Sequence, residues 1–307
     1  MNASCVKAVF KLSLNHKITT FRMNLKAAHA PPPLPVGVTS PTVMAAPVAL
    51  IQGASRGLGL QFCRHILKNS PAAFLVATCR SPEDAAELRG LAGGQRPGRV
   101  TVLRLDVSRE EDVRAAADRV RESFGRLDLL VNSSAMLHPS GRGETSLRDV
   151  SAQGVMSTLM TNAVGPLIVA KYFAPLLQKG GGGFGCQPPE EEKRHSGIIV
   201  NITAKVGSIG DNALGGWYSY RMSKAALNMA TRNLSIELSR SRPKVLCVSL
   251  HPGTVDTDLS RPYHRNVPRA RLFGAELSVQ HLMSIVDSLD GEQTGKAFSW
   301  DGTELPW

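Results

Sequence analysis

The sequence contains few cysteines, and none of them falls into a pattern that builds a framework. Five are scattered over 307 residues, with neither a CxxC pair nor a Cys/His spacing typical of metal ligands. An odd and dispersed set argues against a disulfide scaffold and against a metal site. We therefore expect reduced thiols and no bound metal. The five are Cys5, Cys63, Cys79, Cys186 and Cys247.

Long apolar runs are also missing. The best candidate, residues 164–177, is interrupted by Lys171. A membrane-spanning helix needs about 18 or more consecutive apolar residues. We therefore predict no membrane span and a cytoplasmic protein.

Acidic residues are absent from the first 47 positions, which contain five lysines and arginines and a proline-rich tract at 31–35. We predict that residues 1–47 are a disordered or targeting extension outside the fold. Two interpretations stay open. Residues 1–43 act as a mitochondrial transit peptide, or they extend a chain whose ordinary start is Met44.

The net charge of +11 favours an anionic partner. No basic stripe interleaved with aromatic side chains occurs, so the charge does not predict nucleic-acid binding. We expect an anionic small molecule instead.

From Val48 onward, short runs rich in β-branched residues or leucine alternate with longer amphipathic stretches. This alternation predicts one doubly wound α/β (Rossmann) domain over 48–307, with about seven parallel strands and helices on both faces. The predicted strands are 48–52, 73–78, 99–105, 127–131, 197–202, 244–250 and 296–299. The predicted helices are 58–68, 82–91, 110–124, 147–177, 218–240 and 275–288.

One segment, 178–196, interrupts this pattern with four consecutive glycines, two prolines and a charged run. Such a composition predicts a flexible surface insertion that contributes no packed element.

A glycine-rich turn follows the first strand and opens a helix. Gly53, Gly57 and Gly59 let the backbone approach a pyrophosphate, which the helix N-terminus also attracts. Arg80 ends the second strand where an acid would accept the ribose 2′-hydroxyl, and Arg56 lies within the turn. Guanidinium groups at these positions favour a 2′-phosphate and hence NADP(H).

Tyr220 and Lys224 are four residues apart, so on a helix they share one face. A fixed cation beside a phenol favours the phenolate, and we expect Lys224 to lower the pKa of Tyr220 and make it a proton donor. By itself this pair is also compatible with an ordinary exposed helix face.

The ordered set of motifs resembles the short-chain dehydrogenase/reductase family over 48–307, and within it the sniffer-like and C-factor-like carbonyl reductases. The resemblance implies reduction of a small-molecule aldehyde, ketone or quinone by NADP(H), with Tyr220, Lys224, Asn162 and a serine as the catalytic residues. It also implies a homodimer or homotetramer that pairs through its long helices. The implied cofactor-binding residues are Gly53, Ser55, Arg56, Gly57, Leu58, Gly59, Arg80, Asp106, Val107, Asn132, Tyr220, Lys224, Pro252, Gly253, Val255 and Thr257.

One position departs from the family pattern. The serine expected three residues before Gly207 is Ala204, which has no hydroxyl to stabilise a developing oxyanion. Three outcomes stay open. Ser208 replaces it, which we rank first; Thr203 replaces it, although strand alternation argues against this; or turnover is weak or lost. The last outcome leaves an alternative function, a cofactor-binding sensor or interaction protein.

Overall fold

Seven parallel strands form one sheet in the computed structural model, which describes residues 46–240 and 242–307. Its strand order is β3-β2-β1-β4-β5-β6-β9. The strands are β1 Val48–Gln52, β2 Phe74–Cys79, β3 Val100–Arg104, β4 Leu129–Asn132, β5 His195–Ile202, β6 Lys244–His251 and β9 Ala297–Ser299. Two further short strands, β7 Thr254–Val255 and β8 Leu272–Phe273, pair in parallel outside the main sheet. The predicted doubly wound parallel sheet is confirmed.

Helices cover both faces of the sheet. They are α1 Gly57–Asn69, α2 Ala86–Gly93, α3 Glu110–Phe124, α4 Ala152–Leu159, α5 Gly165–Leu177, α6 Tyr218–Leu238 and α7 Ala275–Ser288. Among the described residues, no helix is both long and apolar enough to cross a membrane.

The alternation of side chains along β1 builds two separate apolar layers. Ala49 and Ile51 join one buried cluster, which includes Phe62 of α1. Val48 and Leu50 join the other, which lies against α3 and α5. Successive strand residues point to opposite faces, so a short and fully buried strand serves both layers.

The predicted helix over 147–177 is wrong as a single element. The structure divides it into a 3₁₀ turn at Leu147–Asp149, then α4, a π-helical turn at Met160–Val164, and α5. Ser151 caps α4 by accepting a hydrogen bond from the Gly154 N–H. Pro166 has no N–H to donate to the carbonyl four residues earlier, which favours an interruption of the α-helical hydrogen bonds at this point.

The segment 178–196 is tied to the fold, so the expectation that none of it packs is wrong. Phe184 is 6% exposed and belongs to an apolar cluster of the core. The Asp128 carboxylate accepts hydrogen bonds from the N–H groups of Gly181 and Gly183. β5 begins at His195, inside the predicted insertion, because the backbone there already pairs with β6. The flexibility of the remainder stays a prediction.

The predicted N-terminal extension lies outside the described residues except at its last two positions. Domain boundaries therefore stay a prediction.

Candidate active site

The candidate site lies where the strand order reverses. β1 pairs with β2 on one side and with β4 on the other. The helix that follows β1 packs in one core cluster and α5, which follows β4, packs in the other, so the crevice that open α/β sheets use as their ligand site is expected at the carboxyl ends of these two strands.

The glycine turn after β1 has the geometry that a pyrophosphate site requires. Gly53 and Gly57 have φ angles of 85° and 55°, a left-handed region that favours glycine. A Cβ on Gly59 would overlap the carbonyl oxygen of Gly53, so the turn folds back on the start of α1. The N–H groups of Gly53 and Ala54 both donate to the Thr78 carbonyl, at 3.0 and 2.9 Å, which fixes the turn to β2.

Two exposed arginines flank the outer end of this crevice. Arg80 directly follows β2 and is exposed. Arg56 caps α1 and forms an ion pair of 3.4 Å with Asp258. Ser55 and Leu58 belong to the same turn, and both are partly buried.

Asp106 and Val107 follow β3 on the adjacent edge of the crevice. Burial opposes ionisation of Asp106, but hydrogen bonds from the hydroxyl and N–H of Ser108, with Arg80 and Arg109 nearby, hold the pKa of this carboxyl below its ordinary value. Val107 is buried. Asp106 is therefore available as a hydrogen-bond acceptor beside an apolar surface.

Asn132 ends β4 in a buried polar network. Its amide donates to Asn201 Oδ1 at 2.8 Å, and Asn201 in turn donates to the Thr231 hydroxyl at 2.9 Å. Asn132 Oδ1 is buried without a hydrogen-bond partner among the described residues. An orphaned buried acceptor at a strand end is the kind of atom that a bound ligand satisfies.

The segment after β6 closes the other side of the crevice. Gly253 has a φ of 77°, and the Pro252 carbonyl accepts from the Ser278 hydroxyl at 2.8 Å. Val255 is buried in β7. Thr257 lies across the crevice, where a Cβ on Gly57 would stand 3.6 Å from its methyl group. Predicted cofactor residues from both ends of the chain thus meet at one site.

Helix α6 delivers Tyr220 and Lys224 to this site. The two are 8% and 1% exposed, and the Lys224 Nζ lies 5.6 Å from the centroid of the Tyr220 ring. The same Nζ donates a 2.8 Å hydrogen bond to the Ile202 carbonyl at the end of β5. Helical spacing thus brings the pair together as predicted, but both side chains are buried rather than exposed.

Burial dominates the titration of both groups. It lowers the pKa of Lys224 from 10.5 to about 7 and raises the pKa of Tyr220 above its ordinary value of 10.0. The expectation of a lowered Tyr220 pKa is therefore wrong for this structure, because burial of the phenol raises that pKa. Tyr220 is a protonated phenol at neutral pH.

Asn162 lies in the π-helical turn and is buried. Its side chain accepts from the Met136 N–H at 2.8 Å and donates to the Met136 carbonyl at 2.7 Å. It also donates to the Ser223 hydroxyl at 2.9 Å, and Ser223 donates to the Tyr220 carbonyl. Since Pro166 cannot donate to the Asn162 carbonyl, the helix interruption favours an available acceptor beside α6.

The three candidates for the missing serine are not equivalent. Thr203 donates its hydroxyl to Asn228 Oδ1 at 2.6 Å, so it is already satisfied within the core. Ser208 is buried, donates to the Trp307 carbonyl at 3.4 Å and accepts from the Asp211 N–H at 3.1 Å. Ala204 stands at the strand end with its methyl group. The oxyanion role of Ser208 stays a prediction.

Sequence reasoning missed residues that act through backbone contacts. Gln52 joins β1 to the loop after β4, because its side-chain amide donates to the Ser134 hydroxyl at 2.5 Å and its Oε1 accepts from the Ser134 N–H at 3.1 Å. Glu144, Trp217 and Ser223 also surround the start of α6. Only Ser223 carried a sequence signal, its place between Tyr220 and Lys224.

Comparison with known proteins gives the class. The short chain dehydrogenase family matches residues 47–267, more than half of the chain. The chain therefore belongs to the short-chain dehydrogenase/reductase family of oxidoreductases.

Individual relatives refine this class. The C-signal of Myxococcus xanthus is 36% identical over 184 residues, which cover 60% of this chain and 94% of that protein. The NADPH-bound carbonyl reductase from chicken fatty liver has a TM-score of 0.73 at 29% identity, covering 85% of this chain and 99% of that one. The carbonyl reductase Sniffer of Drosophila melanogaster has a TM-score of 0.71 at 29% identity, covering 86% and 100%.

Proposed function

We propose that this protein is an NADPH-dependent carbonyl reductase that converts an aldehyde, ketone or quinone to the alcohol. The observation that carries the proposal is the buried Tyr220 and Lys224 pair on α6, in which the lysine Nζ donates to the Ile202 carbonyl at the carboxyl end of β5, beside β4. Similarity to the NADPH-bound chicken carbonyl reductase supports the choice of cofactor and of reaction.

The residues present fit a dinucleotide with a 2′-phosphate. The glycine turn leaves no room for a Cβ at Gly59, because the start of α1 packs directly against the Gly53 carbonyl. Its N–H groups at the start of α1 suit a pyrophosphate. Arg56 and Arg80 supply exposed guanidinium groups for the phosphate, and Asn132 Oδ1 supplies an unpaired acceptor farther in.

When bound, NADPH supplies the hydride, and the chain supplies the proton. Tyr220 is protonated at neutral pH because its phenol is buried, so it donates its proton to the carbonyl oxygen as negative charge develops there. Lys224 would hold the ribose hydroxyls of the cofactor and, once charged, would stabilise the resulting phenolate. Asn162 and Ser223 hold the α6 backbone at Tyr220, and the Asn162 carbonyl would accept a hydrogen bond from a water that returns a proton through Lys224.

The test is NADPH oxidation by the purified protein with a panel of aldehydes, ketones and quinones. Tyr220→Phe removes the proton donor, and we expect a loss of kcat on the order of 10²- to 10⁴-fold. Tyr218→Phe is the matched control, because it removes a hydroxyl two residues away in the same helix, and it should retain activity. Absence of carbonyl-dependent oxidation, or equal rates for Tyr220→Phe and the control, would refute the proposal.

A second candidate is a cofactor-binding sensor or interaction protein with weak or lost turnover. Ala204 favours it, since the described hydrogen bonds of Thr203 and Ser208 go to Asn228, Trp307 and Asp211. Loss of one hydrogen-bond donor to the oxyanion raises the free energy of the transition state by about 2.7–4 kcal/mol.

Ala204→Ser separates the two candidates. If turnover is weak because Ala204 lacks a hydroxyl, the substitution raises kcat with a carbonyl on the order of 100- to 1,000-fold while NADPH affinity stays constant. An unchanged and already fast rate would eliminate the sensor candidate and assign the oxyanion to another donor, with Ser208 first among them.

We propose a homodimer or homotetramer built on α4, α5 and α6. These neighbouring helices expose large apolar side chains, which a partner copy would cover. They are Met156, Leu167, Met222, Met229 and Ile236. Light scattering after gel filtration tests the assembly. A dimeric mass that falls to the monomer with Met229→Glu supports this surface, and a monomeric wild-type protein contradicts it.

For residues 1–47 we keep the proposal of an extension, with a cytoplasmic protein as the first choice. Imaging of a C-terminally tagged full chain beside one lacking 1–43 tests this. Mitochondrial signal for the full chain alone would instead favour a transit peptide.

A further inference from the structure

Trp217 has an unusual backbone at the entrance to α6. Its φ of 50° makes it the one non-glycine residue with positive φ among residues 46–240 and 242–307. A bulky side chain in this left-handed region costs about 1–2 kcal/mol. Such a cost persists where surrounding contacts impose the conformation, and these sites are often functional.

Glu144 imposes that conformation from the loop after β4. Its carbonyl accepts a 2.6 Å hydrogen bond from the Trp217 N–H. Its carboxylate is 3% exposed and accepts from both the N–H and the hydroxyl of Ser219. One buried residue thereby holds Trp217 and the first turn of α6.

Arg221 holds the same turn from the opposite side. Its guanidinium donates to the carbonyls of Val206, Gly215 and Gly216 at 3.0–3.2 Å. The loop before α6 is thus fixed at both ends, and the indole has little freedom to move.

The Trp217 indole packs against Gly143 and Tyr263 and lies beside the Tyr220 phenol. A Cβ on Gly143 would lie 2.6 Å from the ring, so the Gly143 backbone covers part of it. The Tyr263 ring lies 4.7 Å from it by centroid, and the Tyr263 hydroxyl accepts from the Gly143 N–H at 2.8 Å. The Trp217 and Tyr220 rings meet edge to face at 6.2 Å.

We infer that Trp217, braced by Glu144, Gly143 and Tyr263, is a specificity-determining residue that selects flat aromatic carbonyl compounds such as quinones. The inference rests on the proposed function. A carbonyl that accepts a proton from Tyr220 lies within hydrogen-bond reach of the phenol and therefore next to the partly exposed indole. Aromatic rings gain from offset or edge contacts with an indole, whereas small aliphatic carbonyls gain little.

Tyr263 belongs to the segment that follows β6, and its ring together with the Trp217 indole forms what we call the aromatic wall. β7 and β8 pair across the base of that segment, so residues 256–271 form one excursion above the crevice. Its contact with Trp217 and Gly143 joins this excursion to the loop after β4. The aromatic wall is therefore shared by three chain segments rather than carried by one side chain alone.

The first test compares a flat aromatic substrate, menadione, with an aliphatic one, 2,3-butanedione. We expect Trp217→Leu to lower kcat/KM for menadione about tenfold and to change it less than about threefold for butanedione. Trp217→Phe keeps an aromatic ring and should retain most of the discrimination. Equal losses for both substrates, or none, would overturn the inference, and an unchanged NADPH-induced thermal shift shows that each variant is folded.

A second readout needs no turnover. Menadione quenches the fluorescence of a tryptophan that it contacts, so in the presence of NADP⁺ we expect saturable quenching that Trp217→Phe abolishes and Trp300→Phe retains. If this quenching occurs while no carbonyl is reduced, the proposed function fails and the aromatic site stands. If carbonyls are reduced but the quenching is identical in all three proteins, the aromatic site fails and the function stands.

Discussion

Replacement of Lys224, which is buried, should stabilise the protein, and this stabilisation should decrease as the pH rises. In the folded chain, burial lowers the pKa of Lys224 from 10.5 to about 7. In the unfolded chain the side chain is in water and its pKa is ordinary. Between pH 7 and pH 10.5 the unfolded state binds more protons than the folded state, so the free energy of unfolding rises with pH. The penalty is complete below pH 7 and vanishes as the pH approaches 10.5.

The size of this change in the free energy of unfolding follows from the shift in the pKa of Lys224. At about 1.4 kcal/mol per pKa unit, the full penalty is about 5 kcal/mol. Roughly 4 kcal/mol of it applies at pH 7 and roughly 2 kcal/mol at pH 9. Lys224→Met removes the penalty but also removes the hydrogen bond to the Ile202 carbonyl, worth about 1 kcal/mol. The variant should therefore be more stable than the wild type by about 3 kcal/mol at pH 7, although inactive.

Urea unfolding of the cofactor-free protein at pH 7, 8 and 9 measures this directly. The stability advantage of Lys224→Met should shrink by about 2 kcal/mol between pH 7 and pH 9, since other titrating groups cancel in the difference. Lys179→Met is the control, because that lysine is exposed, and its profile should follow the wild type. Parallel profiles for Lys224→Met and wild type would refute the titration of a buried lysine.

Three further results are expected. Arg80→Ala and Arg56→Ala should each weaken NADPH binding about 10-fold or more while NADH binding changes little, as isothermal titration would show; equal losses for both cofactors would contradict a 2′-phosphate site. Gly59→Ala should abolish nucleotide-induced thermal stabilisation, because its Cβ overlaps the Gly53 carbonyl, and a normal shift would contradict the tight turn. Phe184→Ala should lower the free energy of unfolding by about 3–4 kcal/mol in urea, and a loss below 1 kcal/mol would show that 178–196 is not part of the core.

The fold was largely predictable because each strand is a short apolar run bounded by turn residues. β1 and α3 lie where the pattern placed them, at Val48–Gln52 and Glu110–Phe124. The division of 147–177 was missed, because local apolar periodicity continues through Met160–Val164 while the hydrogen-bond pattern changes. Phe184 was missed for another reason. One apolar residue among glycines carries no periodicity, and its burial depends on Asp128, more than fifty residues away.

The site was predictable where a residue type has one chemical use at its position. Gly53, Tyr220 and Lys224 belong to this kind: Gly53 has the left-handed φ that its turn requires, and Lys224 Nζ lies beside the Tyr220 ring. Glu144 and Trp217 were missed because their contacts join the loop after β4 to the start of α6, two segments far apart in the sequence, which no spacing reveals. The direction of the Tyr220 pKa shift was missed because burial of the phenol is a property of the folded protein alone.

Transfer of deuterium from cofactor to product tests the central claim most directly. Purified protein would be incubated with NADPH deuterated at both C4 positions and with an aldehyde or ketone that the panel identifies as a substrate, because a hydroquinone has no carbinol hydrogen to retain the label. Mass spectrometry should find one deuterium on the carbinol carbon of the alcohol, in amounts equal to the NADPH consumed, and almost none with Tyr220→Phe. Consumption of NADPH without deuterated alcohol, or undiminished transfer by Tyr220→Phe, would contradict a carbonyl reductase that uses Tyr220 as its acid.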